Sequence, residues 1–557
     1  MPASNGHHKL LEQLRADKVD YVFGNPGTSE EGLLDALQGF PDIAYIMALQ
    51  ESVALAMADG YCRASQKAGV VLLHSGVGLG NAVGLMYQAK RGHSPLVVLA
   101  GESGVAYSAL DAQMSCDLVA IARPVVKYAA RVEHPASLLR MFRRVLKEAL
   151  TPPTGPVFLA VPQDILDAAN EETVLPTSFP DSRTVPRPEA VAETARILAV
   201  ANRPLILMGD GVACSRAQKA LAKLAEALGA QVFGVNNSEV NFPQSHPLYG
   251  GNTGHMFGPD SARIVQGADV VLIVGTYVFP EVFPSLSSPF DVNAKIIHVD
   301  LDAYEIAKNH PCSLAFVADP QTTLAALAKA VAKLATSEQK AAAKMRARSL
   351  SKAKALQLEK AKAEDKKNWL EGPLRLSALS EALSRHLPAD AIVFDEALTN
   401  SAELTRWLPA NVPGQFFQTR GGSLGVGLPG ALGAKLAHPE RTVIGFSGDG
   451  GAMYTPQAFW SAAHHSIGAK FVVICNGGYR LLKLNILQYW KDLGEAQGRF
   501  PWSFDINDPS VDYVGMAKSM GVPGRHVVSR EEIEPSVAQM LTHDGPFLLS
   551  IEVGGSA

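Results

Sequence analysis

Thr442-Val443-Ile444-Gly445-Phe446 runs into Ser447-Gly448-Asp449-Gly450-Gly451, and Lys470-Phe471-Val472-Val473-Ile474-Cys475 runs into Asn476-Gly477-Gly478-Tyr479. Each stretch is a short apolar run that ends in a polar, glycine-rich turn. A strand buried on both faces of a parallel sheet reads as such a run, and a helix must carry the chain back to start the next one. Both turns then emerge at the same sheet edge. Glycine lets backbone N–H groups approach an anion closely, and a helix N-terminus adds partial positive charge. Asp449 is a hard oxygen ligand; Asn476, 27 residues later, and the free carbonyl of Gly478 complete an oxygen set suited to Mg²⁺. Gly-Asp-Gly alone marks a plain turn as readily as a site. The second turn at this spacing singles it out.

The same alternation extends in both directions. Tyr21–Phe23, Ile43–Ile46, Gly69–Leu73, Leu96–Ala100 and Val157–Val161 read as strands of a first unit. Pro204–Met208, Gln231–Gly234, Asp269–Val274 and Lys295–Val299 form a second, and Ala391–Phe394, Thr442–Phe446, Lys470–Cys475 and Pro546–Glu552 a third. The expected fold is α/β, with three doubly wound parallel-sheet domains over residues 1–170, 185–335 and 371–557. Pro162–Pro188 has the composition of a linker, and the Ala/Lys-rich stretch Ala328–Lys367 reads as a helical connection on the surface, placed at 336–370 between domains. The outer segments are alike in size and pattern, as an old duplication would leave them.

Composition bounds the function. A length of 557 residues suggests three or four domains. Fifty basic residues against 54 acidic ones, a formal net charge of -4, exclude a polyanion binder acting by bulk charge, so no nucleic-acid partner is expected. The five cysteines form no C-x-x-C pair, which argues against a disulfide framework or structural zinc. The N-terminal MPASNGHHKLLEQL shows no apolar leader, and the longest apolar runs are strand-length. The expectation is a cytoplasmic protein with no membrane partner. Its compositional excess is 48 glycines, clustered rather than scattered.

The stretch GDGGAMYTPQAFWSAAHHSIGAKFVVICNGG, Gly448–Gly478, resembles the signature of the thiamine-diphosphate-dependent enzymes. The whole chain fits that family's layout of pyrimidine-binding, central and diphosphate-binding domains. Within the family, VFGNPGTSEEGLLDAL, ALQESVALAMADGYCRAS, LLHSGVGLGNAVG and ADVVLIVGTYVF are similar to the benzoylformate decarboxylases. The resemblance implies thiamine diphosphate and Mg²⁺ as cofactors, the metal on Asp449, Asn476 and Gly478. It implies Glu51 as the carboxylate that shares a proton with the cofactor pyrimidine, a residue that alone would read as an ordinary helix N-terminal Glu. It places Gly422 where a carbonyl receives the cofactor amino group and Leu424 where a side chain holds the cofactor bent. Thr399, Gly450, Gly451 and Tyr479 fall where the diphosphate is held. His74 matches a proton-relaying histidine and Thr28 a hydroxyl that contacts the substrate carboxylate. His464-His465 lies in the wrong place for catalysis and reads as structural.

The pattern departs from those decarboxylases at several positions. Leu398 replaces a hydroxyl on the diphosphate side, and Val282 stands where a second histidine is expected, with Glu281 the nearest titratable group. Gln418 and Asn485 stand where phenylalanines would line the pocket, with Arg420 and Lys483 nearby, so a more polar substrate pocket is expected. Gly209-Asp210-Gly211 reads as a plain strand-to-helix turn before a nucleotide site. The implied reaction is non-oxidative decarboxylation of a 2-oxo acid to an aldehyde and CO₂. The alternatives are an acetolactate-synthase-like carboligase or a 2-hydroxyacyl-CoA lyase, and, more remotely, a non-catalytic cofactor-binding protein. Such carboligases often carry a tail beyond the last strand, whereas this sequence closes on Ser550–Ala557, which favours the decarboxylase. The resemblance further implies a homo-oligomer, a dimer or a dimer of dimers.

Overall fold

The computed structural model describes residues 5–554. Met1–Ser4 of the N-terminal stretch read above for a leader, and Gly555–Ala557 at the chain end, lie outside the described residues.

The first sheet contains β1 (Tyr21–Gly24), β2 (Ala44–Met47), β3 (Gly69–His74), β4 (Leu96–Glu102), β5 (Tyr128–Arg131) and β6 (Val157–Pro162), in the order β2-β1-β3-β4-β6-β5. The second contains β7 (Pro204–Met208), β8 (Gln231–Gly234), β9 (Tyr249–Asn252), β10 (Val270–Val274), β11 (Lys295–Asp300) and β12 (Leu314–Val317), in the order β12-β11-β10-β7-β8-β9. The third contains β13 (Ile392–Glu396), β14 (Phe416–Gln418), β15 (Val443–Gly448), β16 (Lys470–Cys475), β17 (Gly524–Val527) and β18 (Phe547–Glu552), in the order β14-β13-β15-β16-β18-β17. All neighbours pair in parallel. The outer sheets share one strand order, as their similar sequence patterns led one to expect. The central sheet instead has the order of dinucleotide-binding folds.

The Ala/Lys-rich stretch is helical, in two pieces: Pro320–Leu334 ends, and Ser337–Asn368 begins behind Thr336, whose side chain accepts from Gln339 N while Gln339 Oε1 accepts from Thr336 N. One expectation needs correction. Gln163–Asp167 is helical directly after β6, so linker-like chain starts only after it. That chain is pinned to the first helix, with Gln13 donating to the Leu175 carbonyl and Thr177 N to Asp17.

The outer domains share one apolar core. Helix Glu51–Ser65 lies against helix Gly427–Ala437, and both are almost wholly buried. The approach is close because glycines line it: a Cβ at Gly60 would collide with the Gly430 carbonyl, and one at Gly433 with the Met57 carbonyl. The N-terminus of the first helix carries Glu51, and that of the second carries Gly427.

Candidate functional site

Glu51 begins its helix behind Gln50, whose side-chain oxygen accepts from Ser52 N and caps it. The Glu51 carboxylate is buried and held on both oxygens. Asn25, at the carboxyl end of β1, donates to Oε1 at 3.1 Å, and Asn81, on helix Ser75–Arg91, donates to Oε2 at 2.9 Å. Neither asparagine was singled out in the sequence. Both lie within quoted motifs, but nothing local marks either as a partner of Glu51.

His74 ends β3, and Ser75 turns the chain into the next helix with a left-handed φ of 49°. The imidazole Nδ1 lies 2.9 Å from Ser29 Oγ and 3.3 Å from Glu30 Oε2. Its ring packs where a Cβ on Gly27 would stand, so glycine is required there. Glu30 is fully buried; burial pushes its pKa up, while His74 and Ser29 pull it down. Thr28, the residue before Ser29, is exposed. The Ser29–Glu30 pair gives His74 a fixed orientation that the sequence reading missed, because their side chains meet His74 only across β1 and β3.

The third sheet brings the two glycine turns together at the carboxyl ends of β15 and β16. Asp449 Oδ2 accepts from Asn476 N at 2.9 Å and Gly477 N at 2.8 Å, and Oδ1 from Gly450 N at 2.9 Å. Burial pushes the Asp449 pKa up, and these three N–H groups work against it. Asn476 Oδ1 accepts from Gly478 N, and the Gly478 carbonyl from Arg480 N at 2.9 Å. The Tyr479 ring lies 2.6 Å from where a Cβ on Gly450 would be, and Ser447 Oγ 2.7 Å from one on Gly451. Among the described residues no group of three or more His, Cys, Asp or Glu could hold a metal. The expected set of one Asp, one Asn and one carbonyl is of a different kind.

Behind these turns Glu396 organises the loop that carries Gly422 and Leu424. Its buried carboxylate accepts from Gly425 N and Gly427 N, each at 2.6 Å, and from Ser447 Oγ at 3.3 Å. Burial outweighs these donors and lifts its pKa to about 7. Gly421, Gly422 and Gly425 all have left-handed φ, and Gly422 is exposed with open space above it. Leu424 and Thr399 are half-buried, and Leu398 adopts φ 50°.

The four expected pocket residues separate into two pairs. Arg420 is buried and forms an ion pair with Asp210 of the central domain. Gln418 donates to Asp395 at 3.2 Å, and its backbone bonds to Ser238 and Arg63. Both belong to a polar junction of all three domains. Lys483 and Asn485 lie on helix Arg480–Asp492, where Lys483 pairs with Asp505 at 2.6 Å. Val282 is exposed, whereas Glu281 is buried with neither carboxylate oxygen hydrogen-bonded. His465 Nε2 lies 2.8 Å from Met47 N, a structural contact between the outer domains.

The central Gly209-Asp210-Gly211 leads from β7 into the short helix Gly211–Cys214. Burial raises the Asp210 pKa, but Arg420, Ser238 and Asn241 together bring it below the usual range. Gly211 N donates to the Gly275 carbonyl at 3.0 Å, and a Cβ on Gly275 would lie 2.7 Å from Gly211 Cα. This close approach lies between β7 and β10, the switch point of the central strand order.

No hydrogen bond or ion pair among the described residues links the Glu51–His74 group to the Asp449–Asn476 group. Each sits at the carboxyl edge of its own sheet.

Family models for thiamine pyrophosphate enzymes match three parts of the chain: the N-terminal TPP binding domain over residues 4–121, the central domain over 191–327 and the C-terminal TPP binding domain over 399–551. The chain is 30% identical to benzoylformate decarboxylase of Pseudomonas aeruginosa, covering 98% of each. It is 26% identical to the acetolactate synthase isozyme 2 large subunit of Escherichia coli, over 99% of this chain and 95% of that one. Among solved structures it is similar to the thiamine diphosphate-dependent 4-hydroxybenzoylformate decarboxylase of Rhodococcus jostii RHA1. That likeness has a TM-score of 0.86 at 27% identity and covers 99% and 100% of the two chains.

Proposed function

The chain belongs to the thiamine pyrophosphate enzyme family, and on that premise we propose that it is a Mg²⁺-dependent decarboxylase of a 2-oxo acid. The observation that carries the reading is the pairing of a buried, doubly held Glu51 with a His74 whose Nδ1 is engaged by Ser29 and Glu30. A carboxylate and an oriented imidazole at one sheet edge are the acid–base groups such a reaction needs.

The residues present suit the cofactor. Asp449, Asn476 and the Gly478 carbonyl are hard oxygen donors that would hold Mg²⁺. Gly450, Gly451, Tyr479 and Thr399 would hold the diphosphate, Gly450 and Gly451 lacking the side chains that would fill the cradle. Gly422 and Leu424 would receive the pyrimidine end. Thiamine diphosphate, when bound, supplies a nucleophilic carbon and an electron sink for the loss of CO₂.

Within that frame Glu51 holds or releases a proton at its carboxylate, kept in place by Asn25 and Asn81. His74 is left with Nε2 free to move a proton to or from substrate. Thr28 offers an exposed hydroxyl to the substrate carboxylate, and Lys483 and Asn485 would give the pocket its polar character.

Because Glu51 and Asp449 belong to unconnected groups, we further propose that a second copy of the chain completes each site, as a dimer or a dimer of dimers. Exposed Leu49 and Val77 beside the first group, and Met453 and Tyr454 beside the second, support this reading. All five cysteines are free, which accords with a cytoplasmic setting.

The acetolactate synthase relative favours a second reading, carboligation of two 2-oxo acids. The deciding experiment incubates the protein with thiamine diphosphate, Mg²⁺ and a panel of 2-oxo acids, with and without acceptor aldehydes or acyl-CoA. Aldehyde and CO₂ in equal amounts support the decarboxylase. Acyloins or CoA esters without free aldehyde overturn it.

A further inference from the structure

Gln88 lies near the end of helix Ser75–Arg91, two turns beyond Asn81, which holds Glu51. It is 1% exposed, and neither its Oε1 nor its Nε2 has a hydrogen-bond partner among the described residues. A side-chain amide offers two donors and an acceptor oxygen, and buried polar atoms are nearly always paired. An amide buried with both ends free calls for a reason.

Its neighbour is the turn Gly421–Gly422 of the third domain. A Cβ on Gly421 would lie 3.3 Å from Gln88 Oε1 and 3.1 Å from Arg91 Cγ on the same helix. Arg91 is itself held, donating to the Tyr277 hydroxyl of the central domain. With no side chain at Gly421, the backbone of the turn rests against the Gln88 amide. The chain on either side of the turn is fixed. Gln418 N donates to the Ser238 carbonyl at 2.7 Å and Thr419 N to the Asp395 carbonyl at 3.1 Å, while Gly425 N and Gly427 N donate to Glu396. Between these anchors, the N–H and carbonyl groups of Gly421 and Gly422 bond to no other described residue. Both glycines have left-handed φ, 71° and 75°, so the turn can shift while its ends stay in place.

An unpaired amide therefore abuts a backbone turn whose own polar groups are unpaired. We propose that Gln88 is a positioning residue for the cofactor, its amide bonding to the Gly421–Gly422 backbone as the turn takes its loaded position and so setting the Gly422 carbonyl for the cofactor amino group. The unpaired amide raises the free energy of the unloaded protein, and its pairing favours the loaded one. Gln88 acts only through Gly422. The assignment rests on the reading of Gly422 as the carbonyl that receives that amino group.

Calorimetric titration with Mg²⁺ and either thiamine diphosphate or an analogue carrying hydrogen in place of the pyrimidine amino group tests this without turnover. Gln88→Met keeps the length of the side chain and removes the amide. Its affinity for thiamine diphosphate is expected to fall about tenfold, with affinity for the analogue unchanged. Equal losses for both ligands, or no loss for either, overturn the assignment. The unloaded Gln88→Met protein is expected to melt no lower than wild type, because no hydrogen bond is lost. A melting temperature lower by several degrees makes the amide a structural group and also overturns it. Hydrogen exchange needs no variant: in the wild type, the amides of Gly421–Leu424 are expected to slow on loading with thiamine diphosphate and Mg²⁺. Unchanged exchange there overturns the assignment. If the wild type binds the analogue as tightly as thiamine diphosphate, the reading of Gly422 fails, and the exchange measurement still decides whether the turn docks on Gln88.

Discussion

Glu51 and His74 stand on two sides of Gly78: the position of a Cβ there lies 3.3 Å from Glu51 Oε1 and 3.5 Å from His74 Cβ. The two proposed acid–base groups therefore come from one strand end and one helix start, with a glycine between them that leaves room for both. Asn81, one turn further on, fixes the carboxylate from the same helix.

Glu51→Gln keeps the volume and removes the carboxylate. CO₂ release is expected to fall by at least about 100-fold with the melting temperature close to wild type. Turnover within tenfold of wild type would remove Glu51 from the mechanism.

Removing the metal tests the other half. Dialysis against a chelator is expected to abolish turnover, with recovery on adding Mg²⁺. In Asp449→Asn, calorimetric titration with thiamine diphosphate and Mg²⁺ is expected to show affinity weakened by at least about tenfold. Unchanged affinity would place the metal elsewhere.

Arg420 and Asp210 form a buried ion pair between two domains, so leaving one partner alone is costly. Arg420→Met is expected to destabilise the protein by about 3–5 kcal/mol, and adding Asp210→Asn to restore part of it. Denaturant unfolding measures both. A stable Arg420→Met with altered substrate preference would return Arg420 to the pocket.

Gly433 sits where a Cβ meets the Met57 carbonyl, while Gly80, on helix Ser75–Arg91, has nothing within 4 Å. Gly433→Ala is expected to cost at least about 2 kcal/mol. Gly80→Ala is expected to gain about 0.5–1 kcal/mol. Thermal unfolding of the two variants should move in opposite directions.

Glu396 has its pKa raised from 4.5 to about 7 by burial. A carboxyl raised on folding contributes stability that is full below pH 4.5 and is lost as pH rises through 7. The effect is roughly 3 kcal/mol at most, at 1.36 kcal/mol per unit. Glu396→Gln, which forgoes one acceptor, is expected to be less stable at pH 5 but to lose less between pH 5 and 8. Parallel pH dependence in the two proteins would refute the assignment.

Interior strands were legible because both faces are buried and the run is apolar, as in Val70–Leu73 or Phe471–Ile474. The strands that went unread, β5, β9, β12, β14 and β17, all lie at sheet edges. Tyr128–Arg131 and Leu314–Val317 are half-exposed along their length, so their composition carries no such run. The glycine turns were legible for a similar reason: the conformations they need are local, and glycine is the residue that adopts them.

By itself the sequence determined three parallel α/β units and the two glycine turns that carry Asp449 and Asn476, since strand period, turn chemistry and motif spacing are short-range; Glu51 and His74 came from the family resemblance. Tertiary structure decided which groups those residues meet. It set Ser29 and Glu30 on His74, gave Arg420 to Asp210, 210 positions away, and brought Gly211 against Gly275. Such partners are chosen by how separate sheets and helices pack, and no local pattern encodes that choice.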